Sequence, residues 1–229
     1  MGTENTKRRI ILAAERLFAE RGIDDVSMRQ ITEAAGQKNA SALNYHFGSR
    51  HALVEAVFAY RMGALDAHRS ALLDAVEADG RADDLLTLIH LLAQPLADQM
   101  DAQMGENDYL SFFSQVIANP DLRYREMVSG KYDHALVRIN AHIIRLLSHL
   151  PENTVRQRLT VVTATSIHAL CDFQHHMRQS SGGWTREELE RFMVNLCDMI
   201  AGSLTAPVTN FISFRQAYPH LYPDGEGGE

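Results

Sequence analysis

The chain has 229 residues, 45% of them hydrophobic and 22% charged, with a formal net charge of −7. Its apolar content excludes intrinsic disorder as the main state, and 14 Gly and 6 Pro exclude collagen-like and low-complexity classes. The length suits one large or two small domains with a sizeable core.

Helical spacing runs through the whole sequence, and no alternating run bounded by turn residues predicts a strand. Ile10, Ala14, Leu17 and Phe18 predict a first helix over about 5–21, stopped by Gly22. Ser27 and Gln30 form a capping box for a second helix, with Val26 and Ile31 at the hydrophobic-staple positions. That helix ends at Gly36, a residue suited to the left-handed position after a helix. A third short helix is predicted from near Asn39 to Phe47, and Ser49 caps a fourth that runs from Arg50 to about Glu77. Further helices are expected at about 82–94, where Pro95 kinks or divides the chain, and at 107–118. Others are expected at about 121–149 with a weak point at Ser129-Gly130, at 152–179 and at 185–204. The prediction is an all-α fold. A helix-turn-helix domain occupies 1–50, a helical-bundle domain 51–206, and an extended or partly disordered tail 207–229.

The charge is uneven. Residues 1–50 hold 8 Lys/Arg against 6 Asp/Glu and the remainder 14 against 23, so one end alone would attract a polyanion. Within that end, two short helices joined by a tight glycine turn form a helix-turn-helix pattern. Leu43 and Phe47 supply a packing face, while Ser41 and Tyr45 point the other way with Asn44 and His46 on the flanks. Such side chains can bond base edges or phosphates, and they can equally be the solvated face of a structural subdomain. Lys38 and Arg50 bracket the helix as phosphate contacts. A cation at a helix N-terminus opposes the macrodipole, which a partner outside the protein would explain. The candidate DNA-contact set is Lys38, Asn39, Ser41, Ala42, Asn44, Tyr45, His46 and Arg50.

The stretch from Ile10 (IILAAERLFAE), Gly22, Val26-Ser27-Met28-Arg29-Gln30-Ile31, Ala34-Ala35-Gly36 and the run from Leu43 to Leu53 together resemble the N-terminal domain of the tetracycline-repressor (TetR) family. The resemblance implies a dimeric transcriptional regulator whose third helix enters the major groove of double-stranded operator DNA. It also implies a helical C-terminal domain that binds a small-molecule effector and pairs with a second protomer through its last two long helices. Carried over, the phosphate-contacting aromatic is Tyr45 or His46 and the basic contact of the fourth helix is Arg50. Two departures stand out: the turn from Gly36 to Leu43 is one residue longer than the commonest spacing, and Asn44 replaces a frequent Tyr. The Asn-Tyr-His-Phe-Gly-Ser run occurs in a branch that includes regulators of lipid metabolism.

In the body, Leu91, Met100, Met104, Phe112, Phe113, Val116, Met127, Tyr132 and Ile143 are soft apolar side chains that can line a cavity or fill a core. The resemblance points to an effector pocket there. Leu159, Val162, Ser166, Ala169 and Phe173, with Leu189, Phe192, Leu196, Met199 and Ile200, mark two amphipathic helices able to form a four-helix homodimer interface. The alternative is burial within one chain. His168, Cys171 and His175 share a helix face and could ligate a metal, so a metal-binding sensor or enzyme is the second reading. No catalytic motif is present, and no enzyme activity, cofactor or resident metal is expected.

The longest uncharged stretch, Met199 to Phe214, spans 16 residues and is interrupted by Pro207 and Asn210. A membrane span takes about 20 apolar residues, so no membrane partner is expected. The polar N-terminus with Lys7-Arg8-Arg9 predicts no secretory leader, and Cys171 and Cys197 read as free thiols of a cytoplasmic protein.

Overall fold

A computed structural model describes residues 2–37, 41–101, 108–179, 185–208 and 217–221. Among these residues all regular structure is helical. The head comprises α1 (Gly2–Arg21), α2 (Met28–Ala34) and α3 (Ser41–Phe47); α4 (Arg50–Ala78) leads from it into the body. The body continues with α5 (Leu85–Asp101), α6 (Tyr109–Ala118), α7 (Tyr124–Val128), α8 (His134–Leu146), α9 (Glu152–Gln179) and α10 (Arg186–Thr205).

The head starts and stops where its local chemistry dictates. Ser27 Oγ accepts the Gln30 N–H at 3.2 Å while Gln30 Oε1 accepts the Ser27 N–H at 2.8 Å, closing the capping box. Val26 and Ile31 are buried beside it. Gly36 follows α2 at φ +65° and Gly48 follows α3 at φ +68°, both in the region where a Cβ is strained. Ser49 Oγ then accepts the Ala52 N–H at 3.1 Å and opens α4. Replacing Ser27 by Ala removes one arm of the box, and thermal unfolding is expected to show a loss of about 1 kcal/mol.

Two expectations are corrected in the body. Pro95 neither ends nor divides α5, which runs through it to Asp101. A proline lacks the N–H that would bond the carbonyl four residues back. Here that carbonyl, on Leu91, accepts Arg69 Nε at 3.1 Å, and the next one, on Leu92, accepts Arg69 Nη2 at 3.1 Å. The single helix expected over 121–149 is instead three pieces. A 3₁₀ turn at Pro120–Leu122 leads through Arg123 at φ +44° into α7, and Gly130 at φ +69° turns the chain before α8. The weak point at Ser129-Gly130 is therefore a full break.

The core is continuous from head to body. Ile10, Leu17 and Phe18 of α1 belong to the same buried cluster as Phe58 and Leu65 of α4, Phe112 of α6 and Ile200 of α10. α1 packs on both α4 and α6, and α5 packs on α4, α8, α9 and α10. No helix among the described residues is long and apolar enough to cross a membrane.

Candidate nucleic-acid interface

α3 is held from behind and open in front. Leu43 is 1% exposed and Phe47 is buried against α1 and α4, whereas Tyr45 is 82% exposed, its ring edge-on to His46 at 5.2 Å. For Leu43, Phe47 and Tyr45 these are the sides that spacing predicted. Ser41, Ala42 and Asn44 lie on α3 with side chains outside the described set, and Lys38 and Asn39 lie outside the described residues.

Arg50 has a structural task that the sequence reading did not foresee. Its Nη1 donates to the carbonyls of Ile23 at 2.6 Å and Asp24 at 2.7 Å, tying the start of α4 to the link between α1 and α2. These carbonyls give the cation a partner inside the protein, which helps a cation at a helix N-terminus to be tolerated. Arg29 at the head of α2 bonds Glu33 at 2.8 Å, which raises the pKa of its guanidinium and neutralises part of the head's positive field.

Among the described residues, an ion pair and a ring stack stand out at the junction with the body. Arg61 on α4 donates from Nε to Glu15 Oε2 at 2.7 Å and from Nη2 to Glu15 Oε1 at 2.6 Å, a bidentate pair in which both side chains are nearly buried. Phe18 of α1 stacks on Phe112 of α6 with centroids 6.1 Å apart.

The next residue of α6, Phe113, faces a recess of about 40 Å³ whose wall includes Met62, Leu65, Arg69, Leu96, Val162, Ser166 and Ile167. Tyr124, Val128, Leu136 and Thr163 form part of this wall and also of a larger cleft of about 610 Å³ between α6, α7, α8 and α9. Of the side chains expected to line a pocket, Phe113 alone reaches this recess. Leu91, Met100, Phe112, Val116 and Ile143 are packed core. Met127 and Tyr132 border a separate groove of about 230 Å³ beside α4, and Met104 lies outside the described residues. The signal missed was Arg69, a charge on the buried stripe of Met62, Leu65 and Leu73.

The dimer set also needs correction. Leu159, Val162, Ser166, Leu189, Leu196 and Ile200 are buried in the protomer's own core and are not available to a partner. Ala169, Phe173 and Phe192 are partly exposed and Met199 is exposed, with the rings of Phe173 and Phe192 stacked at 4.4 Å between α9 and α10. On the metal alternative, Cys171 Sγ turns to Ser111 Oγ at 3.7 Å, while His168 and His175 are exposed. Among the described residues no three His, Cys, Asp or Glu side chains gather into a metal-binding group.

Residues 10–57 match the family model for bacterial regulatory proteins, tetR family, and residues 90–203 match that for the tetracyclin repressor-like C-terminal domain. No curated protein matches the chain. Among solved structures, the fatty acid degradation regulator FadR from Bacillus halodurans superposes with a TM-score of 0.58 at 16% identity, over 85% of this chain and 97% of that one. A HlyIIR mutant protein superposes with a TM-score of 0.52 at 15% identity, over 90% and 99%. At such identities the likeness concerns the fold.

Proposed function

Because the chain belongs to the tetR family of bacterial regulatory proteins, we propose that this transcription regulator is a repressor that binds a palindromic operator as a dimer. Each protomer lays α3 into the major groove, and the two helices are spaced by about one helical turn of DNA, roughly 34 Å. The observation that carries this reading is the exposed Tyr45 on a helix whose opposite side is anchored by Leu43 and Phe47. Lys38, Asn39, Ser41, Ala42, Asn44, Tyr45 and His46 form the contact set, and Arg50 is a positioning residue that orients α4 beneath it. The second protomer docks on the outer face of α9 and α10. Exposed Val161, Val194 and Met199 lie on these two helices, as do the partly exposed Phe173 and Phe192. In this role the protein works in the cytoplasm.

A small, mainly apolar effector enters the cleft and favours a state with a different spacing of the two heads, so operator affinity falls. The path is short: Phe113 borders the recess and its neighbour Phe112 stacks on α1 of the head. A mobility-shift titration at fixed salt, with DNA flanking the protein's own gene, tests the assignment. Tyr45→Ala is expected to weaken binding about tenfold to hundredfold. It is expected to leave the dimer mass and the unfolding midpoint unchanged, since the side chain is exposed. Undiminished operator affinity in this variant would remove the outer face of α3 from the interface.

A further inference from the structure

We infer that the recess is an acid-binding subsite, in which Arg69 receives the single negative charge of a carboxylate whose apolar body lies along the cleft. This deepens the regulatory reading and rests on it only in treating the bound acid as the effector.

Arg69 is 2% exposed, and its Nε and Nη2 are committed to the Leu91 and Leu92 carbonyls of α5. Its Nη1 is buried without a hydrogen-bond partner among the described residues. The nearest carboxylate along α4, Asp66, acts on Arg69 through its charge but spends its hydrogen bonds elsewhere: Oδ1 accepts the Ala135 N–H at 3.1 Å and Oδ2 faces His134 Nδ1 at 3.0 Å. Burial pushes the Arg69 guanidinium down to about 10, which still leaves it cationic at neutral pH. A buried cation with an open donor is costly unless an anion or acceptor completes it.

Among the described residues the recess wall carries no second formal charge; in the adjoining cleft Arg156 is paired with Glu152. The hydroxyls of Thr163 and Ser166 donate to carbonyls one turn back, on Leu159 and Val162, so they offer no competing donor. One positive charge in an apolar setting balances a monoanion. A phosphate dianion would leave excess charge with too few donors, and an amine would be repelled. A recess of about 40 Å³ admits a small polar head or a water, and it shares Tyr124, Val128, Leu136 and Thr163 with the adjoining 610 Å³ cleft, where Ile117, Val137 and Leu159 offer an apolar tail a wall beside the polar Asp133, Asn140 and Arg156.

Calorimetric titration of the full-length protein with octanoate and with octanol separates an acid site from a watered void. Octanoate is expected to bind about tenfold or more tightly than octanol. In Arg69→Met that preference vanishes while octanol affinity stays. Because Arg69→Met also abandons two α5 carbonyls and can fail to fold, Leu136→Trp serves as the second variant. It narrows the shared wall, leaves Arg69 intact, and is expected to abolish binding of both probes. Equal affinities for acid and alcohol, no octanoate binding at millimolar concentration, unchanged preference in Arg69→Met, or undiminished binding in Leu136→Trp would each overturn the assignment. A parallel operator mobility shift keeps the two readings apart. If octanoate binds through Arg69 yet leaves operator affinity unchanged, the subsite stands and effector control falls. If the alcohol releases operator as well as the acid does, effector control stands and the subsite falls.

Discussion

Glu15→Ala is expected to destabilise the protein by about 3–5 kcal/mol, because it strands Arg61 inside the joint between head and body. Glu15 is 3% exposed, and its two oxygens take both donors that Arg61 directs toward α1. Burial pulls the Arg61 guanidinium down, but the bonds and charge of Glu15 outweigh it and hold the group above its ordinary value. With the carboxylate removed, burial acts on a guanidinium whose ordinary value lies far above neutral, so Arg61 stays charged and unpaired. Chemical denaturation of the single variant and of Glu15→Leu/Arg61→Leu tests the point. The double replacement is expected to lose less than Glu15→Ala, since it leaves no unpaired charge behind. A single-variant loss below about 1 kcal/mol would mean that water reaches Arg61 in the native state.

Phe18→Ala is expected to cost about 3–5 kcal/mol for a different reason. Phe18 and Phe112 are fully buried and stacked, so truncation empties a space between α1 and α6 that two rigid helices cannot collapse to fill. Phe18→Leu keeps most of the volume and is expected to lose less than about 1.5 kcal/mol. The measurement is equilibrium unfolding with unchanged denaturant dependence; similar losses for both variants would show that ring geometry rather than filled volume holds the joint.

The parts of the fold written in short-range chemistry were legible in the residues. Ser27 with Gln30, Gly36, Gly48 and Ser49 each act within a turn of the backbone, and the head follows their positions. The faces of α3 were equally legible, because a seven-residue helix with Leu43 and Phe47 behind leaves Tyr45 outward. What depended on a distant partner was not. Pro95 reads as a kink or a division, and that α5 continues through it is clear only once Arg69 arrives from another helix; Arg50 reads as a free cation until the carbonyls of Ile23 and Asp24 come near. In the body, periodicity marked which residues are apolar but not which side of α9 and α10 the protomer itself covers. Leu159 and Leu196 therefore looked like interface and are core. The recess was missed because its walls come from α4, α5, α6, α7, α8 and α9, a convergence that no local window contains.

The imino acid at position 95 has an effect outside its own helix. With an ordinary residue there, a restored amide hydrogen would share the Leu91 carbonyl with Arg69 and weaken one of its two tethers to α5. A single absent hydrogen atom in one helix thus leaves an acceptor free for a cation in another, and the two positions are coupled through it.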